Sequence, residues 1–149
     1  IFYLKTFMKT TLPIEIVPIE DDGYHLKIII TINGKSANMI LDTGASRTVF
    51  DETRIAEFVN EEKIEEQDRL STGLGTNSME SKQVVIDNLQ LGEVAIVDYN
   101  AAVLDLRHVN QSYEKLEIDP VDGVLGSDIL VMYKAVIDYE KKELRFCLK

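Results

Sequence analysis

Between Tyr24 and Leu41 the chain is written as two strands and the turn that joins them. Ile28-Ile29-Ile30-Thr31-Ile32 concentrates β-branched side chains, which favour extended backbone. Asn33-Gly34 follows, a pair that accepts positive φ at both centres of a two-residue hairpin turn. Lys35 to Leu41 then alternates, with Ala37, Met39 and Leu41 on one face and Ser36 and Asn38 on the other. This second strand runs straight into Asp42-Thr43-Gly44-Ala45-Ser46. A carboxylate is thereby delivered at a strand end, beside a hydroxyl that bonds local backbone and a glycine that admits a second backbone or a substrate. Arg47-Thr48-Val49-Phe50 resumes an extended course, so Asp42 sits on a tight loop between two strands.

The rest of the chain reads as further short strands. Ile14 to Ile19 predicts an edge strand, because Pro18 cannot donate to a ladder, and Asp21-Asp22-Gly23 a turn. Asp51 to Gln67 predicts a helix capped by Asp51, with Ile55, Phe58 and Val59 on one face and five glutamates on a solvated one. Leu70 to Ser78, with Gly73 and Gly75 among small hydroxyl residues, reads as a hairpin tip or as a mobile hairpin over a substrate. It is no phosphate cradle, since neither Gly-Lys-Ser/Thr nor a Rossmann pattern accompanies it. Strands are expected at Gln83 to Ile86, Val94 to Val97 and Ala101 to Leu104, with Asn88 and Gly92 in turns. Asp105 to Glu117 reads as a loop or a short helix. Val124-Leu125 predicts a short buried strand, Gly126 a close backbone approach, and Ser127 the cap of a helix from Asp128 to Tyr133. A hairpin of Ala135 to Asp138 and Leu144 to Leu148 closes the chain.

Composition narrows the function classes. The 149 residues are 45% hydrophobic, with no Pro/Gly/Ser-rich linker, which suits one domain over 14–149. Residues 1–13 read as an N-terminal extension, partly vector-derived if Met8 is the initiator. Acids outnumber bases 26 to 16, a net charge of -10 that opposes nucleic-acid or anionic-membrane partners. Cys147 is the sole cysteine, and His25 and His108 stand apart without ligand spacing. Neither a metal site, a cofactor nor a paired nucleophile is expected. With no signal peptide or membrane span in the sequence, the expected location is cytoplasmic.

Three segments in order carry a resemblance. Asp42-Thr43-Gly44-Ala45-Ser46 after Ile40-Leu41, the hairpin candidate Ser71 to Ser78, and Val124-Leu125-Gly126 within Asp122 to Leu130 together resemble the retropepsin-like aspartic proteases of bacterial type. The resemblance runs from about Tyr24 onward. It implies an all-β fold: a closed barrel lobe with one or two short helices, acting as a symmetric homodimer. It also implies catalytic roles for Asp42, Thr43 and Gly44. Thr72, Gly73, Leu74 and Gly75 would form a flap. Ala45, Val124, Leu125 and Ile40 would wall apolar subsites for extended hydrophobic peptides, although core packing is the favoured role for Val124, Leu125 and Ile40. Two departures stand out: the segments after Asp51 and Asp105 lengthen the chain beyond a minimal subunit, and the flap candidate lacks an aromatic residue.

The chemistry the resemblance implies needs two carboxylates, and the chain carries one Asp-Thr-Gly. A two-fold axis would supply the second from another copy. Two carboxylates about 3 Å apart repel by about 5 kcal/mol at an effective dielectric near 20, so the pair would hold one shared proton. The ionised member would deprotonate a water and the protonated one would stabilise the oxyanion. Two other functions compete. An aspartyl-phosphate enzyme needs a parallel α/β frame that these short strands do not suggest. A catalytically silent module for dimerisation or peptide binding would keep the loop for structural reasons alone.

Overall fold

The computed structural model describes residues 8–21, 23–66 and 82–148. Eleven strands and two helices follow in order: β1 (Met8–Pro13), β2 (Glu15–Pro18), β3 (Tyr24–Ile32), β4 (Lys35–Leu41), β5 (Val49–Asp51), β6 (Ile64–Glu66), β7 (Lys82–Leu91), β8 (Val94–Leu104), α1 (Arg107–Lys115), β9 (Gly123–Leu125), α2 (Ser127–Met132), β10 (Val136–Asp138) and β11 (Glu143–Leu148).

The hairpin of β3 and β4 forms as its sequence dictates. Asn33 and Gly34 take φ of 48° and 85°, and seven antiparallel pairs run from Leu26↔Leu41 to Ile32↔Lys35. The larger sheet runs β2-β3-β4-β9-β5-β8-β7-β6, and a further β3–β7 pairing closes its six inner strands into a barrel. Closure pairs the two ends of the six-strand run with each other and leaves β2 and β6 outermost. Ile28, Ile30, Ile32, Met39, Phe50, Ile86, Leu89, Leu91 and Leu125 fill the interior. β2 lies at the sheet edge, as Pro18 requires. β1, β11 and β10 make a separate three-stranded sheet, stitched to the barrel where Thr10 Oγ1 accepts the Glu93 N–H at 3.0 Å.

The helices cover the barrel unevenly. On α1, Val109 and Tyr113 pack over Ile40 and Val121, making a small second core outside the barrel. Ile40 is thus buried packing and not a free cleft wall.

Three expectations need correction. The helix expected over 51–67 does not form in its described part, residues 51–66. Two 3-10 turns, Ile55–Glu57 and Glu61–Lys63, are followed by β6, which pairs with β7. Backbone bonds from Asp51 N to Asp122 O (2.8 Å) and from Glu52 N to Leu104 O (2.8 Å) hold the start extended, so tertiary pairing overrides the helical spacing. Ile55, Phe58 and Val59 are still buried together. Asp51 caps nothing; its buried carboxylate accepts from Leu106 N and Thr53 Oγ1. Asn88 is no turn residue but lies within β7, where it exchanges hydrogen bonds with Asn33. Gly92 does turn the β7–β8 hairpin, at φ 60°.

Candidate active site

The topology around Asp42 begins with β9. It lies between the strand that enters the Asp42 loop and the strand that leaves it, parallel to β4 (Leu41↔Leu125) and antiparallel to β5 (Val49↔Val124). So close an insertion requires Gly123: a Cβ there would lie 2.4 Å from the Val49 carbonyl oxygen. Gly126 is equally constrained, since its Cβ would lie 2.5 Å from Arg47 O and 2.8 Å from Ala45 O. Both glycines follow from close approach of backbone to backbone.

Within the loop, Asp42 N donates to Leu125 O at 3.0 Å, and Ala45 N to Asp42 O at 3.2 Å. Gly44 N donates to Asp42 Oδ1 at 2.8 Å, which sets the carboxylate plane and leaves Oδ2 without a protein partner among the described residues. Asp42, Thr43 and Gly44 are exposed, and Ala45 is half-buried. Ser127 does not cap α2, whose first turn has no side-chain cap. Its hydroxyl donates to Thr43 O (2.8 Å) and its N–H to Ala45 O (2.8 Å).

Beneath the loop lies a polar clasp that the sequence did not reveal. Asp128 Oδ1 accepts both Thr48 N (2.9 Å) and Thr48 Oγ1 (2.8 Å), and Asp128 Oδ2 accepts the Tyr99 hydroxyl. Thr48 Oγ1 in turn accepts Gly126 N at 3.0 Å. Thr48 is fully buried, so its N–H and hydroxyl need partners, and both have them. Burial first, and then the Asp128 hydrogen bond and charge, push Tyr99 well above the usual phenol range, so it remains a donor. A second carboxylate, Asp122, is buried and accepts Asn38 N (2.8 Å) and Arg54 Nε (2.7 Å), tying β4 to the segment after β5. Long-range pairing created these roles; the only signal in sequence was that Asp122 and Asp128 flank the two glycines.

Other expected site residues fall differently. Val124 is half-buried against the α1 cluster. Leu125 has no exposed surface and belongs to the main core, so packing accounts for its side chain. Thr72, Gly73, Leu74 and Gly75 lie outside the described residues. His25 Nδ1 lies 2.6 Å from the Tyr113 hydroxyl, against α1. Among the described residues no cluster of three or more His, Cys, Asp or Glu is placed to hold a metal, and no helix is long and apolar enough to cross a membrane.

A family model described as aspartyl protease matches residues 28–129, a span that runs from β3 through the Asp42 loop to α2. Among solved structures, a retropepsin-like aspartic protease from Rickettsia conorii superimposes with a TM-score of 0.59 at 18% identity, over 97% of this chain and 96% of that one. The retroviral protease-like domain of Ddi1 from Leishmania major gives 0.52 at 16% identity, over 78% and 82%. These likenesses show the fold. No curated protein matches the sequence.

Proposed function

The chain belongs to the aspartyl protease family, and from that premise we propose that it is an aspartic endopeptidase whose reacting groups are Asp42 and the Asp42 of a second copy. The observation that carries this reading is the state of Asp42. Its carboxylate is exposed, fixed through one oxygen by Gly44 N–H, and offered through the other, on a loop clamped from three sides. A single such loop is half of the required chemistry. A homodimer with its axis beside Asp42 supplies the rest.

In that dimer one proton bridges the two carboxylates. The ionised Asp42 takes a proton from a water held between them as the water oxygen bonds to the scissile carbon. The protonated Asp42 hydrogen-bonds the carbonyl oxygen as it gains charge. Collapse of the tetrahedral species breaks the C–N bond, with a proton passing to the leaving nitrogen. Thr43, exposed and next to the axis, is assigned to bonding across it, and Gly44 to approaching the substrate backbone. Ala45 and Val124 are assigned to the cleft wall, with the segment containing Thr72 to Gly75 as the flap. The substrate would be an extended, largely hydrophobic polypeptide.

The test compares the native chain with Asp42→Asn on an unfolded protein substrate between mildly acidic and neutral pH. Cleavage by the native chain alone, with a rate that falls more steeply than first order on dilution, supports the proposal. Linear dependence on protein across the dissociation range would sink the dimer mechanism. If neither chain cuts while both are folded and dimeric, a peptide-binding module is the better description.

A further inference from the structure

Arg47 stands five residues beyond Asp42 on the same loop and is exposed. Its backbone is fixed by Gly126, which packs against Arg47 O. Its side chain is anchored too: Nη2 donates to Asn100 O on β8 at 3.0 Å. The Arg47 charge also draws the Tyr99 hydroxyl's pKa down, against the larger upward push of burial and Asp128. The other described arginines, Arg54, Arg107 and Arg145, each pair with a carboxylate; Arg47 has no ion pair among the described residues. Asp128 is already engaged by Thr48 and Tyr99. A guanidinium has five N–H donors in a planar fork, and among the described residues only one of those of Arg47 has a partner.

An arginine held at one edge and open at the other is prepared for bidentate binding of a carboxylate, because little conformational freedom remains to be lost. In a chain of net charge -10, a cation beside this loop is also a local exception to the prevailing negative charge. We propose that Arg47 binds a Glu or Asp side chain of the polypeptide substrate a few residues from the scissile bond. This rests on the peptidase reading and adds a charged determinant to an otherwise apolar specificity. Two copies would place two Arg47 side chains at mirrored positions, so an acid is favoured at one position on each side of the cut.

Dodecapeptides with a hydrophobic centre, carrying Glu or Gln singly at each other position, provide the test. For the native chain, kcat/KM should favour Glu over Gln roughly tenfold at one position on each side, the scale of a charge-assisted hydrogen bond. The ratio should shrink as salt is raised. Arg47→Glu should reverse it, favouring a Lys peptide, and Arg47→Gln, which keeps a polar side chain, should bring it to one. Because each readout is a ratio between two peptides on one protein, a change in overall activity does not disturb it. Cleavage with no Glu preference at any position, or a preference that survives both variants, overturns the role of Arg47 and leaves the peptidase reading intact. If no peptide is cut, the peptidase reading fails, and fluorescence anisotropy of the same labelled peptides decides the Arg47 proposal. Tighter binding of the Glu peptide, lost in Arg47→Gln, supports it, and equal or absent binding overturns it.

Discussion

The Ser127 hydroxyl donates to the carbonyl oxygen of Thr43 at 2.8 Å, joining residues 84 positions apart. The first turn of α2 and the loop that carries Asp42 are therefore one mechanical unit. Gly126 lies at their contact, too close to Arg47 O and Ala45 O for any side chain. Carbonyl oxygens of a clamped loop cannot yield as a flexible side chain would. Gly126→Ala should therefore lower stability by about 1–3 kcal/mol and displace Asp42, with peptidase activity falling at least about a hundredfold. Ser127→Ala removes one hydrogen bond, costing about 1 kcal/mol, with a several-fold loss of activity. Urea unfolding alongside kcat/KM measures both, and equal effects of the two variants would contradict the steric account.

Asp122 and Arg54 allow a separate test of stability. The Asp122 carboxylate is 7% exposed while Arg54 is 31% exposed, so the two partners are not equivalent. Asp122→Ala strands the part-buried Asn38 N–H and leaves a half-buried guanidinium without its carboxylate, at a cost of about 3–5 kcal/mol. Arg54→Met leaves the carboxylate bonded to Asn38 N and should cost about half as much. Denaturant midpoints of the two variants check the order, and a larger loss for Arg54→Met would refute it.

Asp138, on β10, predicts the acid limb of stability. The Lys141 backbone N–H, and then the Arg145 guanidinium at 2.9 Å, hold its carboxyl below the usual range. A folded-state value below the unfolded one stabilises the fold above about pH 4 and ceases to do so as pH falls through the lowered value. The β10–β11 hairpin should therefore loosen in acid before the barrel does. Hydrogen exchange at Leu144 and Phe146 against pH reads this directly. Asp138→Asn should remove the pH dependence there and leave that of Ile30 and Met39 unchanged.

Local chemistry made parts of this molecule legible in advance. Asn33-Gly34 can turn only a few ways, the alternation from Lys35 to Leu41 fixes which side chains enter the core, and both together place Asp42 at a strand end. The closing hairpin and the short strand at Val124-Leu125 were legible for the same reason. The segment after Asp51 misled because its helical spacing is real: Val59 N does bond Ile55 O at 3.1 Å, for a single turn. What ended it was not local. β7 offered a pairing partner to Ile64–Glu66, and Asp122, 68 residues away, drew in Arg54.

The sequence by itself determined the hairpin, the acid at its end and the small residues around it, since these depend on backbone preference and neighbouring side chains. Only the tertiary structure decided that β9 slides between β4 and β5, that Asp128 and Tyr99 brace Thr48 beneath the loop, and that Arg47 is anchored with no ion pair among the described residues. Each of those outcomes depends on which distant strand arrives alongside, and parallel pairings such as β4–β9 and β5–β8 leave no turn between adjacent residues from which to read them.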